Sequence, residues 1–132
     1  MREVLIKSSE NLLCRAEVAE SFWNRGWGLL GRRGLPADRG LWIKSCGFVH
    51  TFAMRFPIDL VYLDEDGTVV KTCSRLQPFR FSLGGRNACS VIELPAGSLN
   101  RTRVKVGQKL VFAPISEKPA NASSDLKWSL AE

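Results

Sequence analysis

IDLVYLDEDGTVVKTC, residues 58–73, is the stretch on which the reading of the fold turns. Two runs rich in β-branched, leucine and tyrosine residues flank the polar segment Asp64–Gly67, where a glycine can supply the positive φ a tight turn requires. The pattern predicts an antiparallel hairpin. Alternate side chains of a strand share a face, so Ile58, Leu60 and Tyr62 point one way and Asp59, Val61 and Leu63 the other. Both faces are largely apolar, which predicts a strand buried on both sides and draws Asp59 into the interior. A buried carboxylate without partners is costly. Asp59 is therefore expected to pair with Arg55, with His50, the chain's single histidine, or with backbone amides.

Outward from this hairpin the signal stays β. LWIK, FVHTFAM, FRFSL, CSVIEL and KLVFA, all beyond residue 40, are short apolar runs separated by turn residues such as LPAGSL and VGQ. Pro57 lacks an amide proton and marks a strand start, a bulge or an edge. Residues 2–6 and 12–16 read as two more strands around the turn SSEN. Between Glu17 and Leu30 the period changes. Val18, Phe22 and Leu29 form one stripe with Ala19, Trp23 and Leu30 beside it, which predicts an amphipathic helix ending near Gly31. The expected class is α+β: a compact, mostly antiparallel, barrel-like sheet with one main helix packed on it. Residues 1–115 are expected to form a single domain. The polar tail 116–132 is expected to be disordered.

Composition narrows the function classes. The chain has 132 residues, 45% hydrophobic and 24% charged, ordinary for one folded domain. No apolar run reaches the roughly 20 residues that cross a bilayer, and no signal-peptide core follows the N-terminal basic residue. A cytoplasmic protein without membrane contact is the expectation. Cys14, Cys46, Cys73 and Cys89 lack paired spacing and are expected to be reduced. The net charge is +6, but the arginines and lysines are scattered and no helix carries a continuous basic face. Any nucleic-acid binding is therefore expected to be weak and sensitive to salt.

No metal and no cofactor are expected. In an extended strand Cys46 and His50 lie roughly 13 Å apart, too far to share a zinc ion or to act as nucleophile and base unless Gly47 bends the chain. GGRNACS lacks phosphate-loop spacing. What remains is the constellation His50, Arg55 and Asp59. It supports a site for an unknown small molecule or protein partner. It also allows a structural Asp–Arg tie between strands, the commoner role of such a buried pair. A second reading is a hydrolase-like enzyme with His50 as general base, Asp59 orienting it and Arg55 holding an anionic group. A third is a nucleic-acid-binding domain. A concave pocket around His50 would favour the first two, and a flat basic face with exposed aromatics the third. Glu93, within SVIEL, is either solvent-facing or a second carboxylate of the site.

The order RGWGLLGRRGLP, GLWI, VHTFAMRFPIDLVYLDEDGTVV, SVIELPAGS and VGQKLVF resembles the domain of unknown function 192 family from Ser8 to Ala113. The centre of many members reads F-W-M-K-N-T-x-x-P-L-D. Here Met54, Pro57 and Asp59 match, Arg55 replaces the lysine, and the tryptophan and the asparagine–threonine pair are absent, with His50-Thr51 preceding instead. Any role of that asparagine does not transfer. The resemblance implies a compact β-rich domain with a packed helix and supplies no activity. Many members look exported, whereas this chain shows no export signal.

Overall fold

The computed structural model describes residues 2–9, 11–19, 35–51 and 54–115. Among these residues there are nine strands, β1 (Glu3–Lys7), β2 (Leu12–Ala19), β3 (Arg39–Ile43), β4 (Phe48–His50), β5 (Ile58–Leu63), β6 (Val69–Leu76), β7 (Phe81–Leu83), β8 (Ser90–Pro95) and β9 (Val111–Pro114). Among the same residues one short helix, α1 (Ser98–Thr102), precedes β9. Seven strands form one sheet in the order β6-β5-β8-β3-β2-β1-β9, while β4 and β7 form a separate two-stranded ladder.

The hairpin is as expected. β5 and β6 pair antiparallel, with Tyr62 opposite Lys71 and Leu63 opposite Val69. At its turn the Gly67 amide donates to the Asp64 carbonyl at 3.1 Å, and Gly67 has φ 85°. The Asp64 carboxylate accepts from the amides of Asp66 and Thr68, both at 2.9 Å, which fixes the loop. All six residues of β5 are buried. Val61 and Leu63 join a cluster with Ile6, Val69, Ile92 and Leu94. Ile58, Leu60 and Tyr62 join another with Leu41, Ile43 and Val91. The two-faced burial read from the sequence is thus the arrangement in the fold.

The sheet is mostly antiparallel, but no continuous ladder closes it into a barrel. Its edge strands β6 and β9 meet instead through a clasp. Thr68 and Lys109 form an isolated bridge, Val69 donates to the Gln108 carbonyl at 2.8 Å, Gly107 donates to Val69 at 2.8 Å, and Leu110 donates to Gly67 at 3.0 Å. The sheet is rolled and tied at one end.

Two expectations change in detail. Glu17–Ala19, read as the start of a helix, complete β2 and pair in parallel with Leu41–Ile43 of β3. A parallel pair cannot be joined by a tight turn, and the two strands are nineteen residues apart in the sequence, 20–38. The remainder of the predicted helix and the tail 116–132 lie outside the described residues. LPAGSL, read as a turn, leads directly into α1. Among the described residues no helix is long and apolar enough to cross a membrane.

The small ladder is pinned to the large sheet at Tyr62. Its hydroxyl donates to the Ser82 carbonyl at 3.1 Å and lies 3.0 Å from the Ser82 hydroxyl. The Tyr62 ring passes over Gly84, where a Cβ would overlap both the ring and the Ala88 side chain. Gly84→Ala is therefore expected to destabilise the fold by about 2 kcal/mol, the usual cost of overpacking a tight contact. Urea denaturation of the variant checks this, and an unchanged midpoint contradicts the close packing.

Candidate functional site

Asp59 is fully buried, as its neighbours required. Its partners are backbone amides. Oδ1 accepts from Arg75 at 2.8 Å, and Oδ2 accepts from Gly97 at 3.1 Å and Leu99 at 2.8 Å. The geometry explains why each amide needs it. Between Ile58 and Leu60 the pairing partner steps from Leu76 to Cys73, so β6 carries an extra residue there. That bulge leaves the Arg75 amide off the ladder, at φ 53°. Gly97 and Leu99 open α1, where early amides have no partner within the helix. A carboxylate on a different strand thus completes both a bulge and a helix start.

The structure does not bring the three sequence candidates together. Asp59 binds amides with both oxygens. Arg55 is exposed in the bend before Pro57, and His50 is exposed on β4. Asp59 thus serves the backbone from the interior, while His50 stands at the surface. His50 belongs to a different arrangement. β4 and β7 pair with Phe48 opposite Leu83 and His50 opposite Phe81, so these four side chains share the outer face. Val49 and Ser82 turn inward and are buried. The Phe48 and Phe81 rings stack with centroids 5.8 Å apart. Phe79, 63% exposed, extends the face.

Thr51 holds this surface in place. Its buried hydroxyl donates to the Gln77 carbonyl at 2.6 Å and accepts from the Arg80 amide at 2.8 Å. Its backbone exchanges two further bonds, to the Arg80 carbonyl and from the Phe79 amide, both at 2.9 Å. Phe79 is held at φ 62°, a strained conformation for a bulky residue. The sequence offered no signal for this beyond the aromatic alternation in FRFSL.

Glu93 is not solvent-facing; the structure buries it. It is 6% exposed, between Leu41 and Leu60 on the adjoining strands. Among the described residues its carboxyl has no hydrogen-bond or ion-pair partner. Burial pushes its pKa up to about 8. The four cysteines are free, with Cys14 buried and Cys89 exposed. Burial, with a smaller contribution from Asp38, pushes the Cys14 thiol up to about 12 and keeps it protonated. No group of three metal-ligating side chains gathers among the described residues.

A rolled, mostly antiparallel β fold with an exposed aromatic ladder is the class this geometry defines. The chain belongs to the domain of unknown function 192 family, described as an uncharacterised ACR, whose profile matches residues 4–112. A UPF0127 protein of Pyrococcus abyssi (strain GE5 / Orsay) is 31% identical over 101 residues, covering 73% of this chain and 84% of the relative. Two solved structures share the fold. One is a candidate transcription regulator from Sinorhizobium meliloti 1021, at TM-score 0.74 and 21% identity, covering 84% of this chain and 92% of that one. The other is a protein of unknown function from Novosphingobium aromaticivorans DSM 12444, at TM-score 0.72 and 17% identity, covering 83% of each chain. At these identities the likeness is one of fold.

Two stability outcomes follow. Asp59→Ala strands three partly buried amides and is expected to cost up to about 3 kcal/mol, since a fully buried donor left unpaired costs roughly 1–3 kcal/mol and partial access of water lowers that. Asp59→Asn keeps one acceptor oxygen and costs less. A wild-type urea midpoint for the alanine variant contradicts the bonding described. For Glu93, the unfolded chain loses the proton near the ordinary value of 4.5 and the folded chain near 8. In that window the folded state holds a proton that the unfolded state has released, so raising the pH favours unfolding, by up to ~1.4 kcal/mol per pH unit. Glu93→Gln cannot ionise, so its stability is expected to gain on wild type steadily between pH 5 and pH 8. Parallel pH profiles contradict the burial of an ionisable group.

Proposed function

We propose that this protein is a partner-binding domain whose docking surface is the outer face of the β4–β7 ladder, with His50 at its edge. The observation that carries the reading is the shared exposure of Phe48, Phe81 and Leu83 on that face, with Phe79 exposed two residues before Phe81, each at least half exposed. Single exposed apolar residues are ordinary, but a contiguous group is a recurrent mark of an interaction surface. Aromatic side chains are the preferred anchors of such surfaces. The strained φ of Phe79, maintained by Thr51, supports the same reading, because a relaxed loop would not need to present a phenylalanine to water.

The flanks suggest the partner's chemistry. Arg80 stands exposed between Phe79 and Phe81, and the Lys71 ammonium donates to the Leu83 carbonyl. A protein surface with an apolar centre and an acidic rim complements this face. Single-stranded nucleic acid is the second reading, favoured by stacked aromatics beside an arginine on a chain of charge +6. Two flanking cations make a short track for phosphates, so the protein partner is preferred.

A photoreactive phenylalanine analogue at position 81, with one at Arg86 as control, tests the proposal in cells. The expected result is a discrete protein adduct at position 81 alone, lost on combining the probe with Phe48→Ser. An adduct removed by nuclease supports the second reading, and adducts equal at both positions, or none, overturn the surface. Phe48→Ser with Phe81→Ser should change stability by no more than about 0.5 kcal/mol, as for other exposed substitutions. Urea denaturation checks that the loss of adduct is not a loss of fold.

A further inference from the structure

A second feature, away from the β4–β7 face, is a cleft of about 330 Å³ at the tied end of the rolled sheet. That volume lies at the low end of the range of small-molecule sites. Its apolar wall is Trp42 on Phe112, ring centroids 4.2 Å apart. The Trp42 indole N–H donates to the Ser90 hydroxyl at 3.1 Å, so the ring is oriented by a bond at its edge and held by a ring on its face. The wall is preformed and rigid.

Two observations specify the ligand's charge. The lining carries one ammonium, Lys44, and three carboxylates, Asp64, Glu65 and Asp66. The cleft is therefore locally acidic on a chain whose net charge is +6. Independently, a cation already stands over the indole: the Lys44 ammonium lies 5.3 Å from the Trp42 ring centroid. The negative face of an indole attracts such a group. Asp64 is committed to the turn amides of Asp66 and Thr68, which leaves the exposed Glu65 and Asp66 as the adjustable counter-charges.

We propose that this cleft binds a small organic cation: an amine attached to a flat apolar body. The body lies against Trp42 and Phe112. The ammonium takes the place of Lys44 over the indole, with Glu65 and Asp66 as its counter-ions. Anionic molecules of the same shape are rejected by the two carboxylates.

The test uses 2-phenylethylammonium as the probe and phenylacetate as its anionic counterpart, followed by the Trp42 indole N–H resonance in the full chain at low salt. That resonance is assigned by its loss in Trp42→Phe. The amine is expected to shift it saturably and phenylacetate to leave it in place. Glu65→Gln with Asp66→Asn should weaken the amine about fivefold, as expected for loss of two exposed charge contacts. Lys44→Ala uncovers the indole and should tighten the amine about threefold. These side chains lie at the surface of the cleft, and unchanged urea midpoints confirm that the variants remain folded. Equal binding of amine and carboxylate, an amine that leaves the indole unmoved, an unaltered rim variant, or weaker binding in Lys44→Ala each overturns the proposal.

Discussion

A single carboxylate decides how the two ends of this domain meet. Asp59 lies at the start of the central strand β5, and its oxygens gather an amide from the β6 bulge and two from the opening of α1. The carboxylate is fully buried and has no water to turn to, and the amides, at partly buried bonds, have no partner of their own in ladder or helix. Each satisfies the other. The bulge re-aims the far end of β6, and the helix starts the return of the chain toward β9. Removing the carboxylate would leave strand, bulge and helix individually intact but unregistered.

The same economy of polar groups recurs at the surface ladder. Thr51 gathers the backbone of Gln77 to Arg80, and Tyr62 reaches Ser82. Both ties are made from beneath, and Phe48, Phe81 and Leu83 stand exposed on the opposite face of β4 and β7. Glu93 is the exception to this pattern: a buried carboxyl on the large sheet, among leucines, with a proton held on by the lack of solvent.

Much of this was legible in the residues. The alternation in IDLVYL fixed both faces of β5, and EDG fixed the turn, because strand periodicity and a positive φ at glycine are local properties. The burial of Asp59 followed from its neighbours alone. Its partners did not, because Arg75, Gly97 and Leu99 act through amides, which every residue possesses and no sequence pattern marks. For the same reason the grouping of His50 with Asp59 was drawn from proximity along the chain, whereas His50 faces outward on a separate ladder. The continuation of β2 through Glu17–Ala19 was hidden because a helical stripe and a strand run overlap at Val18 and Ala19, and parallel pairing with β3 decided between them. α1 was hidden because its first turn is completed from another strand rather than by a capping side chain of its own. Glu93 could not be placed because alternation with Ile92 and Leu94 is equally consistent with a wet face.

The clasp between β6 and β9 sets an order of events for the chain as it is made. β1, which emerges before every other strand described, pairs with β9 as well as β2, and the clasp joins the 67–69 turn to residues 107–110. Neither contact can form until the chain has been synthesised almost to residue 114. Loop closure over so long a span is slow relative to local hairpins. The β5–β6 hairpin can form early, but its partner edges stay open to other strands until the last one arrives. Synthesis and folding of this domain therefore finish nearly together, and a chain stalled short of β9 holds an unfinished sheet with two adhesive edges.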